Sequence, residues 1–191
     1  MSLRIDEIVK RLYEVKPQIG TIAILDLETT GFEKDARIIE IGAIGLSFDG
    51  FDVRIKTFEE LINPGVPITS RITEVTGITN EELKTARGDE VYDDFHRWLM
   101  QLAPSKCVAH KASFDEGKLR YNMNRVGYMQ NLPPFDCTMK LSKQYLTKPK
   151  ADNLKVLSEY FNFKNTQAHR ALADAEVTAY IYCKIMLGEY E

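Results

Sequence analysis

The chain predicts an α/β domain with a mixed sheet flanked by helices. Two observations predict it. An apolar run at 21–27 is followed by an Ile-rich run at 37–48, and Asp49-Gly50 joins that run to a third at 51–62. An Asp-Gly pair between extended runs is a hairpin signal, so the second and third strands pair antiparallel. Beyond them, helical spacings alternate with short apolar strands at 107–109 and 135–137. Five strands interleaved with helices in this order build a layered domain.

The elements follow in order. Apolar residues at 5, 8, 9, 12 and 13 give 3–13 the spacing of an amphipathic helix, which Pro17 and Gly20 end. The first strand closes on Thr29-Thr30-Gly31, and 31–36 is a polar loop. Asn63-Pro-Gly65 stops the third strand, and short helical pieces fill 67–82. Val91, Phe95, Trp98, Leu99 and Leu102 mark a helix over 89–102 with a core stripe, ended by Pro104. Ser113 caps a helix running to residue 128. Helices follow at 138–145 and 153–160, with a Lys-rich loop between them. The last helix spans 171–187, and Gly188 terminates it. No repeat or linker divides the chain, so 20–191 reads as one domain and 1–19 as a helical extension.

The 191 residues suffice for a proper core, and 44% hydrophobic and 28% charged residues are ordinary globular values. A net charge of −3 argues against a strongly basic nucleic-acid-binding surface. It does not exclude nucleic acid as substrate, because cations held by carboxylates reverse the local field. Cys107, Cys137 and Cys183 are scattered and odd in number, which fits reduced thiols in a cytoplasmic protein. No run reaches the ~20 apolar residues of a membrane span. The N-terminus lacks the apolar core of a secretion signal. The expectation is a cytoplasmic protein with no membrane partner.

Asp26 and Glu28 end the first strand one residue apart, so they share a face. Two acids at the end of a buried strand repel each other and lose hydration, a penalty that a divalent cation removes. Two further acids complete the set. Asp115 lies just past a short strand, near the start of a helix. Asp174 sits on the first turns of the last helix, where small Ala neighbours let that helix approach the sheet. Asp136 also follows a strand but lacks a matching context and is left out. An all-oxygen set suits Mg²⁺ or Mn²⁺ rather than Zn²⁺. Four acids suit two ions ~3.5–4 Å apart that clamp a phosphoryl centre. His169, five residues before Asp174, belongs to the loop before the helix. An unperturbed pKa of ~6.5 suits it to act as general base.

Asp26-x-Glu28-Thr-Thr-Gly, His110-x-Ala-x-Phe-Asp115 and His169-x4-Asp174 together resemble the three motifs of the DnaQ-like, or DEDDh, 3′-5′ exonucleases. The segments 62–68 and 75–79 resemble the intervening region of polymerase III proofreading exonucleases. Each piece alone is weak, and the ordered set is specific. The resemblance spans roughly 20–187 and implies a ribonuclease H-like fold with an exonuclease domain at 20–191. It implies that Asp26 bridges both ions, that Glu28 and Asp174 hold the ion activating water, and that Asp115 binds the other. It further implies release of nucleoside 5′-monophosphates from a nucleic acid with a free 3′ end, with single-stranded DNA favoured. Processing of RNA 3′ ends and a proofreading subunit docked on a DNA polymerase are the alternatives. Oligomeric state stays open. Lys111 departs from the family, whose second motif often carries Asn there; a phosphate contact and a solvated side chain are its two readings.

Leu27, Thr29, Thr30, Phe114 and His169 are the candidate substrate contacts. Thr29 and Thr30 have two readings: caps of local backbone, or main-chain donors to the terminal nucleotide. Phe114 is core packing or the border of a base pocket, where stacking contributes ~1–3 kcal/mol per base. His110 reads as a structural residue that helps set Asp115. Lys140, Lys143, Lys148 and Lys150 form a loose basic run, either a solvated face or a track for a nucleic-acid backbone.

Overall fold

The computed structural model describes residues 3–15, 19–49, 52–128, 132–147 and 153–190. Five strands form one sheet: β1 (Ile22–Thr29), β2 (Ile38–Asp49), β3 (Asp52–Leu61), β4 (Lys106–Ala109) and β5 (Phe135–Cys137), in the order β3-β2-β1-β4-β5. The first three are antiparallel, while β4 runs parallel to β1 and β5 parallel to β4. The mixed five-stranded sheet is thus as expected. The β2–β3 ladder extends to the pair Asp49–Asp52. Gly50 of the hairpin signal lies outside the described residues, as do Pro17, Lys148 and Lys150.

Helices α1 (Leu3–Val15) and α8 (Ala171–Leu187) cover one face. Ile5, Ile8, Val9 and Leu12 of α1 meet Val177, Ile181 and Ile185 of α8 over Ile22, Ile24, Ile44 and Leu46 of the sheet. The first helix is therefore part of this core. On the opposite face, α4 (Val91–Leu102) and α5 (Ala112–Arg125) pack Tyr92, Phe95, Leu119 and Met123 against Ala23, Leu25 and Leu27. Short helices α2 (Ser70–Thr76) and α3 (Asn80–Thr85) follow β3, each capped by a Thr, and α3 carries a full capping box from Thr79 and Glu82. Helices α6 (Thr138–Tyr145) and α7 (Leu154–Tyr160) precede α8, which ends on Gly188 at φ 74°.

One expectation is corrected. Ser113 does not cap α5 but lies inside it, Lys111 stands at the N-cap without a side-chain bond, and the helix ends at Arg125 rather than at residue 128. The helix begins earlier because β4 ends at Ala109 and the chain turns within two residues.

Candidate active site

The alternation along β1 decides where its acids point. Ile22 and Ile24 belong to the α1/α8 core, and Ala23, Leu25 and Leu27 to the opposite one. Asp26 and Glu28 continue the even series, so they face α8.

The position of α8 on that face is set from β2. Gly42 pairs with Asp26 across the ladder. A Cβ on Gly42 would meet the Leu172 nitrogen at 2.1 Å and the Ala171 carbonyl carbon at 2.2 Å, so the helix starts directly on this glycine. The buried alanines of the helix, Ala171 and Ala175, allow the close approach expected of them, and the strand's missing side chain at Gly42 completes it. Two residues away, Glu40 pairs with Glu28 and is fully buried. Its Oε1 accepts from Arg170 Nε at 3.0 Å and Nη2 at 2.6 Å, and its Oε2 accepts from the Ala171 N–H at 2.8 Å. A strand carboxylate thus caps the first turn of α8, where negative charge is favoured.

That docking carries Asp174 to the acids of β1. Both Asp174 oxygens are held, Oδ1 by Asn165 Nδ2 at 2.6 Å and Oδ2 by the backbone N–H of His169 at 3.1 Å. His169 stands in the turn before α8 with left-handed backbone (φ 64°) and an exposed side chain. One ligand atom each of Glu28, His169 and Asp174 lies within 4.8 Å of the other two. Asp115 enters from the first turn of α5, buried to 4% exposure, with backbone hydrogen bonds at Leu27 and at itself.

Electrostatics tie the four acids together. Burial, then the charges of Asp115, Asp174 and Glu28, raise Asp26 well above the usual carboxylate range. Burial and the neighbouring Asp174 and Glu40 charges push Glu28 up to about 8. Burial pushes Asp115 up to about 7, and the Lys111 charge opposes the shift. Asp174 is also raised, by burial, against the bonds from His169 and Asn165.

The remaining candidates divide. The Leu27 side chain packs in the core. Thr29 Oγ1 donates to Gly31 O at 2.8 Å, and Thr30 Oγ1 accepts from Arg37 N at 3.0 Å. The Thr30 N–H donates to Arg37 O, so both threonines serve the turn. His110 is buried with Nδ1 2.9 Å from Thr138 Oγ1, a structural arrangement. Phe114 is half-exposed, and its ring lies 6.0 Å from that of Phe32. Phe32 is 84% exposed. Phe32, Glu40, Gly42, Asn165 and Arg170 are not among the defining residues of the three motifs. Only Glu40 left a signal, a charge inside an Ile-rich strand.

The donor set fits divalent cations. Four carboxylates whose ionisation is mutually opposed supply oxygen ligands and gain most from positive charge placed among them. A mixed sheet with such a cluster at the end of its central strand defines a ribonuclease H-like nuclease domain. The chain belongs to the exonuclease family described by the RNase_T model, which matches residues 23–182. It is 32% identical over 168 residues to a DNA polymerase III PolC-type from Bacillus cereus, covering 87% of this chain and 11% of that one. The chain thus spans about a ninth of that relative's length. Exonuclease X in complex with 5′ overhanging duplex DNA superposes with a TM-score of 0.65 at 24% identity, covering 87% of this chain and 91% of that one. The nuclease domain of 3′hExo, a DEDDh family member bound to rAMP, gives 0.74 at 16% identity, covering 91% and 96%. At these identities both structural likenesses speak to the fold. Among the described residues no helix is long and apolar enough to cross a membrane.

Proposed function

We propose that the chain is a metal-dependent 3′-5′ exonuclease that removes nucleoside 5′-monophosphates from single-stranded DNA. The observation that carries it is the cluster of Asp26, Glu28, Asp115 and Asp174 with His169 at its exposed edge. Asp26, Glu28, Asp115 and Asp174 would hold two Mg²⁺ or Mn²⁺ ions, which when bound activate water and neutralise the leaving oxygen. His169 takes the proton of the attacking water. The P–O3′ bond breaks, the shortened strand gains a 3′-hydroxyl, and the terminal nucleotide leaves as its 5′-monophosphate. Phe32 and Phe114 form an aromatic lip for bases at the 3′ end. The PolC-type relatives support DNA as substrate and a DNA polymerase as partner. Residues 20–191 form the catalytic domain in this reading, and 1–19 its helical extension.

The test is degradation of 5′-labelled single-stranded DNA and matched RNA with Mg²⁺ or Mn²⁺, with released nucleotides identified by chromatography. RNA degraded faster than DNA would move the assignment to RNA ends. Products other than 5′-monophosphates would reject it. His169→Ala should lower kcat by ~10²–10⁴-fold while the thermal shift produced by Mn²⁺ persists. A wild-type rate in that variant would make His169 a structural residue.

A stability measurement reads the acids without turnover. Glu28 and Asp115 have folded pKa values of about 8 and about 7, above their unfolded values of ~4. Between those limits the folded state binds more protons than the unfolded one, so metal-free stability falls as pH rises. The Tm of metal-free protein should therefore drop from pH 5 to pH 8.5. Saturating Mn²⁺ should raise Tm more at pH 8.5 than at pH 6. A flat metal-free profile would contradict the raised values.

A further inference from the structure

The loop that follows β1 is held from beneath by a lysine that the chemistry does not use. Lys118, on the second turn of α5, is 4% exposed, and no carboxylate pairs with it within 4.0 Å among the described residues. Its ammonium donates to the carbonyls of Phe32, at 3.0 Å, and Glu33. The same nitrogen lies 5.1 Å from the centre of the Phe114 ring. One turn on, Asn122 Nδ2 donates to Ala36 O at 3.1 Å. Thr30 and Arg37 close the neck of the loop. The carbonyls that a surface loop leaves to water are thus taken up by the helix that carries Asp115.

A phenylalanine 84% exposed on a polar loop has little beyond the Phe114 ring, 6.0 Å away, to keep it upright. Charge-assisted bonds to its own carbonyl and the next fix the backbone on which the ring stands. The cation beneath Phe114 fixes the second ring. We propose that Lys118 is a positioning residue for substrate binding: it holds Phe32 and Phe114 as a preformed lip, so that bases at the strand end stack without first ordering the loop. This rests on the exonuclease reading and adds to it a determinant of how the strand end is gripped.

The test compares two single-stranded DNAs, one with natural bases and one whose last two positions are abasic. Wild type should show a lower KM for the natural strand. Lys118→Met, which keeps the stem and removes the donor, should shrink that preference about tenfold, since only stacking depends on the lip. In a Phe32→Ala background, Lys118→Met should change the preference no further, because the lip is already gone. An unchanged preference in Lys118→Met, or equal losses in both backgrounds, would overturn the proposal. If Lys118→Met gives no cooperative melt, Lys118→Leu, which also lacks a donor, is read in the same way. A wild type that degrades neither strand would instead reject the exonuclease reading itself.

Discussion

Asp26→Asn should abolish turnover and still give a metal-free protein that melts above wild type at pH 8. The two effects share one cause. Asp26 is raised by burial and by the charges of Asp115, Asp174 and Glu28, so those acids oppose one another until cations arrive. An amide of the same size removes one charge from the cluster, and the native state no longer has to hold protons that the unfolded chain has released. In the proposed scheme the same change also removes a carboxylate that would hold the cations, a loss of several kcal/mol that corresponds to ~10³-fold or more in rate. Calorimetry at pH 8 without metal, repeated with Mn²⁺, and a nucleotide-release assay check both halves. A lower metal-free Tm would show that Asp26 is held by something other than its acidic neighbours. Retained turnover in pure protein would end the metal scheme.

Gly42→Ala should be nearly as damaging, although Gly42 has no side chain to offer a ligand. Its Cβ would sit about 2 Å from backbone atoms of Ala171 and Leu172, and backbone has no rotamer to escape into. The first turn of α8 must lift, and Asp174 and His169 lift with it. Overpacking of this kind destabilises by ~1–3 kcal/mol. A misplacement of about 1 Å lowers the rate by ~10²-fold. Gly45→Ala is the control. Its Cβ would meet the ends of Leu102 and Trp98 on the other side of the strand, so it should lower Tm while leaving the Mn²⁺ response intact. Equal activity losses in the two variants would show that the helix contact is not special.

Local patterns carried most of the fold. The period of two along β1 placed Asp26 and Glu28 on one face, and the helices at 138–145 and 171–187 have the bounds their spacing implied. The motif acids were legible because they sit at element ends, set beside apolar runs that do not otherwise call for charge. What sets those ends against each other was not. Glu40 meets Arg170 across 130 positions, and Lys118 meets Phe32 across 86. Neither pair has a period to read. Gly42 reads as a weak strand residue until the helix above it is known. Ser113 resembled a cap, but capping depends on where the preceding strand ends.

Asp174 lies in the first turn of a helix whose later residues, Val177, Ile181 and Ile185, are the middle of the α1-covered core. A carboxylate mounted there has no private hinge. Amide hydrogens along α8 should exchange only when the whole domain opens, with the free energy of global unfolding. Partial fraying therefore offers no route to a folded protein with a dismantled centre, and destabilising changes far from the acids should act on the amount of competent enzyme and leave each molecule's rate alone.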